Sequence, residues 1–498
     1  MTSGTVTATE PAHEHTLAKG TIGFWEALAM SVEAMGPILG ALSVAPLIVT
    51  MAGFSAPFIV LVAGIAMFAV AIVIARFSRT LPSAASIYTY ISHGLGERAG
   101  FLSAWISYMY YFLFPPSLMI GMGLYGESMS QYIFNVDIAW YWWAIAGALI
   151  AFALSYIGIR LSMRVDLTLA IIADVVLLAV SVGIIISVIA KGNFTLEPFL
   201  PTHAPTQFTG ISLAMAFGVL IFLGFEQSFT LGEEVRDPHG DVPRAIFVSL
   251  GGIGLLLLLS TFAMVLGFGP SGMGKLVDAF NKDGTPFWQL IQIHLSPGWR
   301  SALQIVAVTS VLGNLIASHN CVVRIQYGMG RARAFPSAVG WTSRRFGTPY
   351  VAIIFQTICS LAIVVGVAVL WSATAAFGFI SFLEGLAASV AFILIMAAAI
   401  RYFRRAKPGD SVWQNYVIPI VGIVILIPAV YTAFYPNPGP PLNVAPYILL
   451  GWLVIGVLYL VWRESQHQRI DIDYAFKDLG EVPIADTPAE SPGASTPP

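Results

Sequence analysis

Gly36-Pro37-Ile38-Leu39-Gly40 interrupts one long apolar stretch, from about residue 22 to 50, and Leu223-Gly224-Phe225-Glu226 interrupts another, from about 209 to 235. Pro37 cannot donate a backbone hydrogen bond, and its ring crowds the preceding turn. Gly36 and Gly40 lower the cost of leaving helical geometry. About 20 apolar residues are what a helix needs to cross a bilayer. Non-helical backbone at that depth is tolerated only where it lines a cavity or meets protein. The two breaks lie five spans apart. Interrupted helices at matching places in two five-helix halves predict an inverted repeat with a binding site between the breaks. A proline kink alone accounts for the first break but not for its counterpart.

The composition agrees. Of 498 residues, 57% are hydrophobic and 10% charged, with a mean hydropathy of +0.80. A soluble protein carries about 25% charged residues, so this chain cannot cover a water-facing surface and reads as an all-α integral membrane protein. The alternating ten-residue segments of an outer-membrane barrel are missing. Twelve transmembrane helices are expected, near 22–50, 56–77, 99–131, 138–159, 166–190, 209–235, 243–268, 297–323, 349–371, 374–400, 415–435 and 444–462. The apolar stretch after the polar first residues is too long for the core of a cleavable signal peptide. A net charge of -2 and a pI near 6.4 leave no electrostatic footprint for nucleic acid. Cys321 and Cys359 form no C-x-x-C pair, so neither a disulfide framework nor a zinc site is expected, and nothing calls for a metal or cofactor.

Charge placement sets the orientation. Of the 24 Lys and Arg, only Lys191, Lys275, Lys282 and Arg300 fall in segments outside the membrane if the N-terminus is inside. That bias follows the positive-inside rule and places the chain in the plasma (inner) membrane with both termini cytoplasmic. The expected division is a tail over 1–21, a first five-helix repeat over 22–190, a second, inverted repeat over 209–400, helices 11 and 12 over 415–462, and a largely disordered tail over 463–498. The outer loop near 269–296 is expected to hold a short helix.

The candidate site follows from the breaks. Freed amides near Gly36, Ile38, Leu39, Gly40 and Ala41 suit a carboxylate, and carbonyls near Phe222, Leu223, Gly224 and Phe225 suit an amino group. Glu33, Asp174, Glu226 and Glu384 lie within spans, with Glu26 nearer an end, and no Lys or Arg lies mid-span. An ionised carboxylate at mid-bilayer costs at least about 2.5 kcal/mol. Such acids therefore carry a coupling proton or pair with a cationic guest. In span 8 the nearest polar groups are Asn314 and Ser318, with no evident hydroxyl pair for sodium, which favours a proton. Gly121-Met122-Gly123-Leu124-Tyr125-Gly126 matches a dinucleotide fingerprint but follows no strand, so it reads as small residues for close helix packing. No Ser/His pair or metal cluster at one depth supports an enzyme, and no sizeable soluble domain supports a receptor.

Three stretches carry a family resemblance over about residues 20–465. They are Leu81-Pro-Ser-Ala-Ala-Ser-Ile-Tyr-Thr-Tyr90; Phe222-Leu-Gly-Phe-Glu226 with Gly232-Glu-Glu-Val-Arg-Asp-Pro238 and Val242-Pro-Arg-Ala-Ile246; and Arg324-Ile-Gln-Tyr-Gly-Met-Gly-Arg-Ala-Arg-Ala-Phe-Pro336. In this order they resemble the amino acid–polyamine–organocation permeases. The resemblance implies a leucine-transporter-like 5+5 inverted repeat with broken helices 1 and 6. It further implies secondary import of an amino acid or small amine, with Phe222 flanking or gating the site; the proton coupling expected here rests on the buried acids and on span 8. A polyamine, amine or inorganic-cation carrier of the same fold is the alternative. Three positions depart from the pattern: Ala85 stands for a usual glycine, Leu39-Gly40-Ala41 keeps one glycine of the usual triplet, and Asp174 stands where many members carry a lysine.

Overall fold

The computed structural model describes residues 23–81, 86–158, 163–226, 240–331, 335–343, 345–404 and 411–466. The expected N-terminal tail, most of the expected C-terminal tail, and the motif residues 82–85 and 232–238 lie outside the described residues. Among the described residues all regular structure is helical.

The first expected span is broken where Pro37 and its glycines predict. Helix α1 (Phe24–Met35) stops at Gly36, whose φ of 55° is left-handed. The short α2 (Pro37–Leu39) then restarts the chain, a π turn covers Gly40–Val44, and α3 (Ala45–Ala52) completes the crossing. Helix α4 (Ala56–Thr80) returns, and α5 (Ser86–Leu95) leads into α6 (Glu97–Phe134). Helices α7 (Trp140–Ile157) and α8 (Met163–Ala190) follow. The sixth expected span is helical over α9 (Gln207–Leu220) and leaves helical geometry at 221–226. Then come α10 (Asp241–Phe268), α11 (Met273–Asp283), α12 (Phe287–His294), α13 (Pro297–Arg331), α14 (Tyr350–Leu370) and α15 (Ala373–Phe403). Last are α16 (Ile418–Phe434) and α17 (Ala445–Ser465), the latter reaching the first residues of the expected tail. Nine helical stretches among the described residues are long and apolar enough to cross a membrane, one of them spanning both the broken helix and α4.

The broken helix, α6, α9, α13 and α15 form the centre. Gly385 of α15 lies so close to the backbone of Ala216 in α9 that a methyl there would overlap it. Around them, Leu178, Ile186, Val369, Val424 and Leu458 point outward, the pattern of a chain whose solvent is lipid. Helix α17 is clamped to α6 by Trp105 and Trp452. Each indole N–H donates to the other's carbonyl at 2.9 Å, and the rings stack at 4.6 Å. The fingerprint glycines serve helix packing. A methyl on Gly121 would stand 2.7 Å from Leu39, one on Gly123 2.7 Å from the Trp140 carbonyl, and Gly126 lies against Trp143.

The loop near 269–296 holds two short helices, α11 and α12, rather than one. It is tied to the first break. The Ser43 hydroxyl donates to the Gly284 carbonyl at 3.0 Å and meets the Tyr125 hydroxyl at 2.5 Å. On the same layer His294 bonds the Gly267 carbonyl at 3.1 Å and the Ser187 hydroxyl at 3.0 Å.

Candidate functional site

The two breaks touch. Gly224 has a φ of 112°, a conformation that L side chains rarely adopt. A methyl on it would overlap the Ala34 carbonyl and stand 2.9 Å from the Met35 nitrogen. Gly36 presses on the Asn314 side chain of α13 in the same way. Glycine is required at Gly224 by close approach to backbone as well as by φ; at Gly36 the φ favours it, while the Asn314 amide could move aside for a side chain. Glu226 then secures the second break. Its carboxylate accepts from the Gly224 N–H at 2.9 Å and from the Tyr111 hydroxyl of α6 at 3.1 Å.

Beside the breaks lies a narrow central cavity. Gly36, Leu39 and Gly40 line it from the first break, and Leu220, Ile221 and Leu223 from the second. Its polar groups are Ser117 of α6, Asn314 of α13, and Ser381 and Glu384 of α15; Phe114 and Phe377 add aromatic wall. Among the described residues no Lys, Arg or His lines it. Glu384 is 1% exposed, and among the described residues its Oε1 has no hydrogen-bond partner, nor has the Ser381 hydroxyl.

A second cavity is wider, about 200 Å³ against about 20 Å³ for the central one, which in this conformation has room for about one water. Glu33 and Pro37 of the first span, Asp174 of α8, and Thr309, Ser310 and Gly313 of α13 line it, with Leu154, Leu169 and Ile316 as apolar wall. The Asp174 Oδ1 is buried without a partner among the described residues. The Thr309–Ser310 hydroxyl pair lies on α13 earlier than Asn314 and Ser318. The Thr309 hydroxyl is spent on the Ile305 carbonyl at 3.0 Å and the Val306 carbonyl at 3.2 Å.

The residues singled out in the sequence thus divide. Gly36, Leu39, Gly40, Leu223 and Glu384 meet at the central cavity, while Glu33 and Asp174 meet at the second. Ile38 and Ala41 are fully buried and line neither. Gly224 and Glu226 hold the break itself. Phe222 does not line the central cavity. Its ring fills a slot between Gly64 of α4 and Gly254 of α10, where added methyls would stand 3.3 and 3.0 Å away. Phe225 packs on Phe392 of α15 with ring centroids 6.2 Å apart. Ser117, Ser381 and the two phenylalanines were not legible, because single serines and phenylalanines recur throughout apolar helices. The spacing of Ser381 and Glu384, three residues apart on one helix face, was the available signal. Among the described residues no three His, Cys, Asp or Glu side chains gather in a metal-binding group.

Comparison with known proteins puts this geometry in context. A family model described as amino acid permease matches residues 22–458. The low-affinity putrescine importer PlaP of Escherichia coli is 26% identical over 401 residues, 77% of this chain and 80% of that one. The branched-chain amino acid permease BcaP of Bacillus subtilis is 25% identical over 312 residues, 59% of this chain and 63% of that one. A crystal structure of the Eremococcus coleocola manganese transporter covers 92% of this chain and 98% of its own, with a TM-score of 0.52 at 15% identity, a likeness of fold.

Proposed function

This chain belongs to the amino acid permease family, and from that premise we propose that it imports an amino acid or small organic amine by secondary transport coupled to protons. It is a multi-pass membrane transporter and not an enzyme. Its twelve spans are the broken first helix, α4, α6, α7, α8, the broken helix that begins with α9, α10, α13, α14, α15, α16 and α17. Residues 22–190 and 209–400 form the inverted repeats, 415–462 lie at the side, and both termini face the cytoplasm of a cell whose plasma (inner) membrane holds the protein.

One observation carries this reading. Gly224 and Ala34 bring the two breaks into contact, and a cavity lined by both opens beside them. Non-helical backbone at membrane depth is found where it lines such a cavity, and paired breaks at a repeat interface mark a transport site. The Gly36 and Gly40 amides are spent on the Glu33 and Gly36 carbonyls, both at 3.0 Å, so the amides at the start of α2 receive a carboxylate when the substrate has one. Glu33 and Asp174, at the second cavity beside the first break, are placed to exchange the coupling proton.

A second reading, an amine or polyamine carrier, is favoured by Glu384, which the Ser117 hydroxyl engages but whose Oε1 has no partner among the described residues, in a cavity that no basic side chain lines among them. The relation to a putrescine importer supports it as well. Uptake of radiolabelled valine and 1,4-diaminobutane into proteoliposomes tests the function. An inward proton gradient should drive concentrative uptake that a protonophore collapses. Strict sodium dependence would overturn the coupling, and no protein-dependent flux of any amino acid or amine would overturn the function.

A further inference from the structure

We propose that Glu384 and Ser381 form the subsite that reads the ammonium group of the substrate, and that the central cavity, narrow in this conformation, widens to take a small organic monocation, one primary ammonium on a short hydrocarbon body. The proposal rests on the reading of the central cavity as the transport site.

The two side chains lie three residues apart on α15 and so share a face. Both line the cavity, and both are essentially withdrawn from solvent, Glu384 at 1% and Ser381 at 0% exposure. The Glu384 Oε1 and the Ser381 Oγ are without partners among the described residues. Buried polar atoms in folded proteins are nearly always hydrogen bonded. An orphaned carboxylate oxygen and an orphaned hydroxyl, side by side at a cavity wall, are acceptors awaiting a donor. A primary ammonium carries three N–H donors and one positive charge. Glu384 supplies the counter-charge, and Ser381 and the Asn314 side chain oxygen supply further acceptors.

The remaining wall decides the rest of the molecule. Phe114, Leu118, Ile221 and Phe377 offer hydrocarbon contact. Among the described residues no cationic side chain lines the cavity to meet a carboxylate, and the Glu384 charge opposes one. Nor, among the described residues, does a second acid line it for a second ammonium. Asp174 and Glu33 line the other cavity, and Glu226 is engaged by Gly224 and Tyr111. The ranking that follows is monoamine, then zwitterion, then diamine, with carboxylic acids last.

A matched series tests it: 2-methylpropylamine, valine, 3-methylbutanoate and 1,4-diaminobutane, each titrated against the full-length chain in nanodiscs. The amine should bind tightest and the acid weakest. Glu384→Gln should weaken the amine by at least about tenfold, the loss of one charge-assisted hydrogen bond, and change valine less. Ser381→Ala should weaken the amine in the same direction by a smaller factor, and Glu384→Asp should restore part of the loss. Equal amine affinity in wild type and Glu384→Gln, or tighter binding of 1,4-diaminobutane than of the monoamine, would overturn the proposal. If Glu384→Gln aggregates, an unchanged amine affinity in Ser381→Ala overturns it instead. Proteoliposome uptake is run alongside. Valine uptake that persists with no loss of amine affinity in these variants sinks this assignment alone, whereas absence of any protein-dependent uptake sinks the transport reading beneath it.

Discussion

Gly224 lays its bare α-carbon against the carbonyl of Ala34, so the interruption in one membrane helix rests on the interruption in another. Neither break is a local irregularity. The left-handed Gly36, the positive φ of Gly224 and the carboxylate of Glu226 make one joint, from which the central cavity opens.

The joint has no room for a side chain. Gly224→Ala combines a strained φ, costing about 1–3 kcal/mol, with overlap on Ala34. It should lower the melting temperature in detergent and abolish uptake. Wild-type uptake at wild-type stability would show that the breaks can separate freely.

Glu226 supports the joint rather than reaching into the central cavity. Glu226→Ala leaves the Gly224 N–H buried and unpaired, a cost of about 1–3 kcal/mol. It should slow turnover of every substrate alike, with no change in competition pattern. Tyr111→Phe removes one donor to the Glu226 carboxylate and should show a smaller loss of the same kind. In a double-mutant cycle the two losses should not add. A substrate-selective effect of Glu226→Ala would place the carboxylate at the guest instead.

Phe222 is a packing residue between Gly64 and Gly254. Phe222→Ala should empty that slot and destabilise by about 3 kcal/mol, while relative affinities across a substrate panel stay as they were. A changed panel at unchanged stability would return Phe222 to the gate that family resemblance implies.

The layer that holds α11 and α12 should respond to acid through His294. Its burial holds the imidazole below the usual value of 6.5; nearby Lys191 works in the same direction, and the Gly267 carbonyl works against it. The folded protein therefore resists protonation that the unfolded chain accepts. His294 stabilises fully above about 6.5 and loses that contribution as pH falls through the unfolded value toward the lower folded one. Melting temperatures from about pH 7.5 to 5 should fall more steeply for wild type than for His294→Gln. Parallel curves would contradict this.

Much of this arrangement is legible in the amino-acid sequence. Pro37 between two glycines announces a break because proline forbids the helical hydrogen bond, and the second break is legible by symmetry with the first. The acids are legible as a set, because a charge at membrane depth needs a reason. Their division is not. Whether Glu226 turns back onto its own backbone, or Glu384 faces the cavity, depends on how helices rotate against one another, and periodicity does not carry that rotation. Phe222 fails for the same reason. Its neighbours in the chain sit at the break, but its ring follows two glycines on α4 and α10 that are far away in sequence.

Substrate protection of a cavity thiol shows whether the substrate sits beside the paired breaks. In a Cys321→Ser, Cys359→Ser background, Ser117→Cys places a single thiol on the cavity wall, beside Glu384 and across from both breaks. The rate of its modification by a small methanethiosulfonate reagent is measured with and without saturating 2-methylpropylamine or valine. Whichever compound competes for uptake should slow the modification several-fold. Modification at one unchanged rate, under a compound that the same protein transports, would place the substrate site away from the paired breaks.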